Sequence, residues 1–242
     1  MKLGVISDVH GNRVALDAVL ADLPPVDGLV CAGDVVGYGP WPGECVAELR
    51  ERGVPTVQGN HDRAAVVGSA PGFNAMGRAG VEYANRVLDA DALDWLDGLP
   101  EATAVADGRV AVVHSHPTVR DRYVYPEEFG PDLLAAARAA VGGGADRGSA
   151  VAGDASEVDP EVLVLGHTHV QGHERFPEGV AMNPGSVGQP RDGDPRAAYA
   201  VLDLDGPSVE ERRVEYDVDA VVDAVEAAGL PERIGTRLYE GR

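Results

Sequence analysis

Six of the seven histidines in this 242-residue chain lie in short polar clusters, each placed just after an apolar run; only His173 stands apart. The densest cluster is Gly59-Asn60-His61-Asp62, which follows the apolar residues 54–57. Asn60 offers a neutral amide oxygen suited to a divalent cation. His61 titrates near neutrality and can give or take a proton. Asp62 is expected to hold that imidazole in one tautomer and raise its pKa. Gly59 is expected to let the backbone come close to a metal or a phosphate. The other clusters are Ser7-Asp8-Val9-His10, Gly33-Asp34, His114-Ser115-His116-Pro117 and Gly166-His167-Thr168-His169. No thiolate belongs to the set, which argues against an iron–sulfur or structural zinc centre. Carboxylate, amide and imidazole together suit Mn, Fe, Co, Ni or Zn, and seven such ligands are too many for one ion. Two ions sharing a carboxylate fit the number better. Such ions sit about 3.5–4 Å apart, a span that one phosphate bridges.

The elements that must position these residues follow from hydrophobic patterning. Residues 3–6 are too short for a helix and read as a buried strand. Asn12 then caps a helix with Leu16, Val19, Leu20 and Leu23 at helical spacing, stopped by Pro24-Pro25. Residues 28–32 and 54–57 read as further strands, separated by a helix that opens at Pro42 and ends near Gly53. This alternation predicts a doubly wound α/β sheet whose loops converge at the carboxyl ends of the strands. From 68 to 100 the pattern is helical, with Met76, Ala79, Tyr83 and Val87 on one face and Trp95 and Leu96 beyond. Residues 109–113 form a strand that His114 ends. After it come a polar loop with Tyr123 and Tyr125, an alanine-rich helix from about Pro131, and a Gly/Ala-rich connector at 142–149. A strand at 162–165 precedes His167. Two antiparallel strands, 198–204 and 209–216, suggest a second sheet packed on the first, and a helix through Val221, Val222 and Val225 closes the chain near Gly229. The reading is one domain over 1–242, with cap elements at 68–100 and 118–156.

Composition narrows the partners. Forty acidic residues against 20 basic ones give a formal net charge of −20, and Lys2 is the only lysine. Such a surface repels polyanions, so nucleic acid and anionic membranes are disfavoured. High-salt adaptation is one source of that surface; a genome that replaces Lys by Arg is the other. Cys31 and Cys45 read as small core residues. The absence of a membrane-length apolar run or a signal-peptide pattern gives a cytoplasmic expectation.

The five clusters, in this order over residues 8–169, resemble the calcineurin-like metallophosphoesterases, most of all the small bacterial and archaeal phosphoesterases. The resemblance also draws in Asp34-Val35-Val36-Gly37-Tyr38-Gly39-Pro40 and Asn183-Pro184-Gly185-Ser186-Val187-Gly188. It implies a four-layer α/β/β/α sandwich of two packed mixed sheets flanked by helices. It implies Asp8, His10 and His169 as ligands of one metal, Asn60, His114 and His167 as ligands of a second, and Asp34 as the bridge. Manganese is the first expectation for both. His114 is followed by Ser115 where the family pattern has Gly, so His116 competes for the role; His114 is preferred because it ends the strand, with His116 behind it. His61 would be the general acid, oriented by Asp62, and a hydroxide shared by the two ions the nucleophile. Arg63, Tyr38 and Arg191 are candidates for holding a small phosphomonoester, phosphodiester or nucleotide substrate. The family's serine/threonine protein phosphatases carry an Arg soon after the bridging Asp and a Glu after the His of the Asn-His pair. Gly37-Tyr38 and Asp62 stand there, which weakens that alternative. A dinucleoside polyphosphate hydrolase, a hydrolase acting away from phosphorus and a catalytically silent metal-binding scaffold complete the alternatives.

Overall fold

Two sheets face each other across a valine-rich seam, and the ordering of their strands decides where the polar clusters meet. The computed structural model describes residues 1–142 and 158–242. The connector expected at 142–149 therefore lies, apart from Gly142, outside the described residues, as does the later part of the 118–156 cap.

The first sheet contains β1 (Lys2–Ile6), β2 (Gly28–Cys31), β8 (Ala197–Asp203) and β9 (Ser208–Val214), ordered β2-β1-β8-β9. The second contains β3 (Ala102–Val105), β4 (Val110–Val113), β5 (Val162–Val164), β6 (Gly172–Phe176) and β7 (Gly179–Asn183), ordered β3-β4-β5-β7-β6. Both are mixed. β1 runs parallel to β2 and antiparallel to β8, and β4, β5 and β7 run parallel between antiparallel edge strands. Alternate side chains fill two layers, as a pleated strand requires. Val110, Val112, Val162 and Val164 join Leu3, Val5, Val30, Ala200 and Leu202 between the sheets. Ala111, Val113 and Leu163 point the other way, onto α6 (Pro131–Gly142) through Leu133, Leu134 and Ala137. On the opposite side Ile6, Cys31, Tyr199 and Val201 meet α1 (Arg13–Asp22) and α2 (Pro42–Glu51), which contributes Cys45 and Leu49. The layers run helix, sheet, sheet, helix. That is the architecture expected from the sequence, and both cysteines are buried in it.

Several local expectations are corrected. Residues 54–57 form no strand: Pro55 lacks an N–H, and one bridge from Thr56 to Cys31 is all that pairs. The hairpin β8–β9 extends the first sheet through β1, and the second sheet is built from residues 102–183. Strands β3, β6 and β7 add to those that the sequence pattern predicts. Residues 60–67 are helical, as α3 (Asn60–Val67), and open the helical region. In α4 (Ala75–Val87) the buried face is Gly77, Gly80, Val81 and Ala84, whereas Val87 is exposed. A short α5 (Ala90–Asp97) buries Leu96. After β9, α7 (Val218–Ala227), α8 (Arg233–Thr236) and a final 3₁₀ turn (Arg237–Glu240) pack Val221, Val225, Ile234 and Leu238 around Tyr38. No helix among the described residues is long and apolar enough to cross a membrane.

Candidate metal centre

The carboxyl ends of β1, β2, β4 and β5 and the start of α3 bring Asp8, His10, Asp34, Asn60, His61, His114, His167 and His169 into one buried cluster. An unusual backbone aims them. Asp8, His10, Asp34, His167 and His169 all have φ between 50° and 70°. This left-handed region is uncommon for residues with a Cβ and costs about 1–3 kcal/mol each. Each such turn reverses a side chain immediately beyond a strand, so consecutive polar residues face inward. Hydrogen bonds lock the turns together: Asp8 N–H donates to Gly33 O at 2.9 Å, His10 N–H to Asp34 O at 2.9 Å, and Gly188 N–H to Asp8 O at 3.0 Å. Gly59 leaves space for a neighbouring candidate ligand. A Cβ there would lie 2.0 Å from Asp34 Oδ1, so the missing side chain makes room for the carboxylate.

Four imidazoles are oriented by backbone carbonyls. His10 Nδ1 donates to Val36 O (3.1 Å), His114 Nδ1 to Ala32 O (2.8 Å), His169 Nδ1 to Gln189 O (2.6 Å) and His167 Nε2 to Asp121 O (3.1 Å). A neutral imidazole has one N–H, so the remaining nitrogen of each ring presents a lone pair. Those lone pairs converge: His10 Nε2 lies 3.0 Å from His169 Nε2, and His114 Nε2 lies 3.2 Å from His167 Nδ1. Two facing lone pairs repel unless a proton or a metal ion lies between them. The neighbours supply oxygen donors for that cation, charged from Asp8 and Asp34 and neutral from Asn60. Asp8 Oδ1 is 3.2 Å from His169 Nε2, and Asn60 Oδ1 is 3.1 Å from His114 Nε2. Asp34 Oδ2 lies 3.7 Å from His10 Nε2 and 3.3 Å from His114 Nε2, between the two groups. Its Oδ1 is taken by the His61 N–H at 2.8 Å. Asp8, His10 and His169 form one set whose ligand atoms all lie within 4.8 Å of one another, and Asp34, His114 and His167 form another. The donor types and spacings of these sets fit divalent metal ions, and Asp34 lies between them.

The electrostatics agree. Burial pushes His10, His169 and His167 towards the neutral form that a metal needs, His167 to about 4. Burial opposes ionisation of Asp8 and Asp34, but the surrounding histidines outweigh it and hold both carboxylates below their ordinary range. At His114 burial opposes the charge and Asp34 overrides it, raising the imidazole to about 10, so Nε2 carries a proton beside Asp34 and its lone pair would be freed by a cation that takes the proton's place. The site's demand for positive charge is concentrated beside Asp34.

His61 also lies within 4.8 Å of His10 and Asp34, its ring packed against Tyr38 at 4.6 Å and Phe73 at 4.7 Å. The expected contact with Asp62 is not made. Asp62 caps α3 instead, accepting N–H groups from Val36 and Gly59 at 3.0 Å each. The helical turn that places His61 inward carries the next side chain underneath the loop. Burial and the Asp34 charge raise Asp62 to about 7; burial lowers His61 to about 4 and leaves its Nδ1 without a hydrogen-bond partner. His116 is also turned from the cluster, accepting N–H groups from Thr118 and Val119. It is His114 that faces Asp34. His173 is exposed and paired with Glu211 at 2.6 Å.

The three candidate substrate residues separate. Arg191 donates to the Tyr38 hydroxyl (3.2 Å) and to Gln189, and its charge is felt at both His169 and His61. Tyr38 stands beside His10 and His61 with φ 57°. Arg63 is engaged elsewhere: it clasps both oxygens of Asp121 at 2.9 and 2.7 Å, and Asp121 in turn holds His167. Asp121 and Gln189 are the participants that sequence reasoning missed. Each acts through its backbone carbonyl, which leaves no mark in residue type.

Comparison with known proteins bears on this arrangement. Residues 1–206 match the model of the calcineurin-like phosphoesterase superfamily domain. An uncharacterized protein of Methanocaldococcus jannaschii is 33% identical, the match covering 99% of this chain and 98% of that protein. A metallophosphoesterase structure from Sphaerobacter thermophilus is 34% identical with a TM-score of 0.80, covering 100% of this chain and 99% of that one. A hypothetical protein of Pyrococcus horikoshii, 20% identical, shares the fold with a TM-score of 0.79 over 100% of this chain and 98% of its own.

Proposed function

The chain belongs to the calcineurin-like phosphoesterase superfamily, and from that membership and the geometry above we propose that it is a two-metal hydrolase of small phosphomonoesters or phosphodiesters. The observation that carries the reading is the pairing of backbone-oriented imidazoles whose lone pairs meet at 3.0 and 3.2 Å around Asp34. Asp8, His10 and His169 would hold one ion, Asn60, His114 and His167 the other, and Asp34 Oδ2 both. The mix of carboxylate, amide and imidazole accommodates Mn, Fe, Co, Ni or Zn, and the family resemblance makes manganese the first to test. When bound, the ions supply Lewis acidity towards phosphoryl oxygens and lower the pKa of water towards neutrality.

The chain's own residues supply the rest. Arg191 places a positive charge beside the cluster, where it would neutralise a phosphate oxygen. The Tyr38 hydroxyl accepts from Arg191 and keeps its own proton free to donate. His61 would deliver a proton to the leaving oxygen. A buried imidazole near pKa 4 is a poor acid holder on its own, but an incoming phosphate brings negative charge that raises it. Asp62 contributes by fixing the start of α3, and so the direction of His61.

The test is hydrolysis of p-nitrophenyl phosphate and bis-p-nitrophenyl phosphate by metal-stripped protein, with Mn²⁺, Co²⁺, Ni²⁺, Zn²⁺ or Mg²⁺ added back. Turnover that returns with metal and disappears in Asp34→Asn is the expected result. Two ions bound per chain with no turnover on either ester would overturn the proposal in favour of a metal-binding scaffold or a hydrolase of another bond.

A further inference from the structure

Beside the centre, two tyrosines are held in the open. The Tyr123 ring lies flat on the His167 imidazole, with centroids 4.2 Å apart and planes 11° apart. Tyr125 continues outward from Tyr123 at 6.2 Å and 21°. The two are 46% and 40% exposed, in a chain with only 5% aromatic residues. Their alignment follows from the backbone: Val124 between them is buried against the α6 core, so extended alternation turns both neighbours to the same outer side.

Burial does not hold these rings, but the loop beneath them is fixed. His116 Nδ1 gathers the N–H groups of Thr118 and Val119, and Ser115 Oγ accepts from Asp121 N–H at 3.0 Å. Arg63 ties Asp121 to α3, and Glu128 accepts the Tyr125 N–H at 3.0 Å. An ordered loop that keeps two aromatic faces in water, lined up from a ligand of the candidate centre, is a preorganised stacking surface.

We propose that Tyr123 and Tyr125 form a platform for a nucleobase, which makes the substrate a nucleoside phosphate whose phosphate reaches the metal centre while its base stacks outside it. The inference rests on the phosphoesterase reading above. The net charge of −20 directs the platform towards mononucleotides or short nucleotides and away from long polyanions.

The experiment measures inhibition constants of AMP, ribose 5-phosphate and inorganic phosphate against bis-p-nitrophenyl phosphate hydrolysis by the manganese-loaded protein, with bound metal per chain measured in parallel. AMP and ribose 5-phosphate share sugar and phosphate and differ in the base, so their ratio isolates stacking. AMP is expected to inhibit about tenfold more strongly, within the range of a single base–aromatic stack. Tyr125→Ala, which leaves the Tyr123–His167 stack in place, should lower the ratio to about two to three, the remainder coming from Tyr123, and Tyr125→Trp should restore it. Equal constants in the parent protein, with inorganic phosphate still inhibiting, would overturn the platform and leave the phosphoesterase reading intact. So would an unchanged ratio in Tyr125→Ala. Absence of both turnover and phosphate binding would overturn the phosphoesterase reading and the platform together.

Discussion

Gly80 offers the sharpest test of how the α4 layer supports the centre. In a solvated helix, Gly→Ala gains about 1 kcal/mol. At Gly80 a Cβ would stand 2.1 Å from Tyr38 N and 2.5 Å from Tyr38 Cα, both backbone atoms. Restoring a normal contact near 3.5 Å needs a separation of roughly 1.4 Å between α4 and the Tyr38 loop. Tyr38 cannot easily yield, because its φ is 57° and its ring is packed among Val221, Val225, Ile234 and Leu238. Overpacking of this kind costs about 1–3 kcal/mol, and the site sits at the upper end, so the net change is a loss of about 1–2 kcal/mol. For a chain of this length that lowers Tm by about 2–8 °C. The displacement also moves Tyr38 from its 4.6 Å contact with His61. A misplacement on the order of 1 Å costs up to about 10²-fold in rate, so kcat/KM at 25 °C should fall by about tenfold or more. Differential scanning calorimetry and p-nitrophenyl phosphate kinetics read the two effects separately. Gly43→Ala in α2 is the control: its Cβ would meet only Leu88 Cδ2 at 3.9 Å, and the variant should be unchanged or more stable. A Gly80→Ala protein that gains Tm alongside Gly43→Ala would refute the reasoning.

Three other outcomes follow from the structure. His61→Gln should cut turnover of alkyl phosphates by about 10²–10⁴-fold while aryl phosphates, whose leaving groups need little protonation, lose far less; equal losses, or loss of bound metal, would remove His61 from the acid role. Arg63→Ala breaks a half-exposed ion pair and should cost at most about 1 kcal/mol of stability, but it frees Asp121 from α3 and should weaken metal binding at the His167 side by up to about tenfold in a metal titration. Burial and the hydrogen bond to Asp22 raise Tyr199 to about 12. The folded chain therefore holds this proton more tightly than the unfolded one, and the associated stability is complete below pH 10 and lost as pH rises through 12. Tyr199→Phe should show a shallower fall in urea-melt stability over that window.

Four of the clusters were legible because each follows a short apolar run that forms a strand. Three strands left weaker marks: β6 places His173, Glu174 and Arg175 in solvent on a sheet edge, β3 is a four-residue edge strand with Thr103 inside it, and β7, although buried and central, offers only Val180, Ala181 and Met182 between glycine- and proline-containing turns. Apolarity misled at residues 54–57, where Pro55 limits pairing to a single bridge. The hairpin β8–β9 read correctly as antiparallel, but no pattern within it says that its partner is β1, some 190 residues earlier in the chain. At the site, residue types pointed to a metal-ligand set but said little about backbone roles. Asp62 looks like an imidazole partner in the motif and is a cap in the fold; Asp121 and Gln189 orient two histidines through carbonyls that any residue carries.

The position of β1 also has a consequence for how the protein is made. One edge of β1 pairs with β2, which emerges from the ribosome almost at once; the other waits for β8, from Ala197 onward. At ordinary synthesis rates of about 5–20 residues per second, that edge stays open for roughly 10–40 s. An apolar strand with an unpaired edge is a template for pairing with other chains. The loop after β1 waits as well, because Ser7 O and Asp8 O accept N–H groups from Val187 and Gly188. The turn carrying Asp8 and His10, held early by Gly33 O and Asp34 O, is therefore completed only when the last quarter of the chain has joined the sheet, so a nascent or truncated chain has no finished centre in which to trap a transition metal.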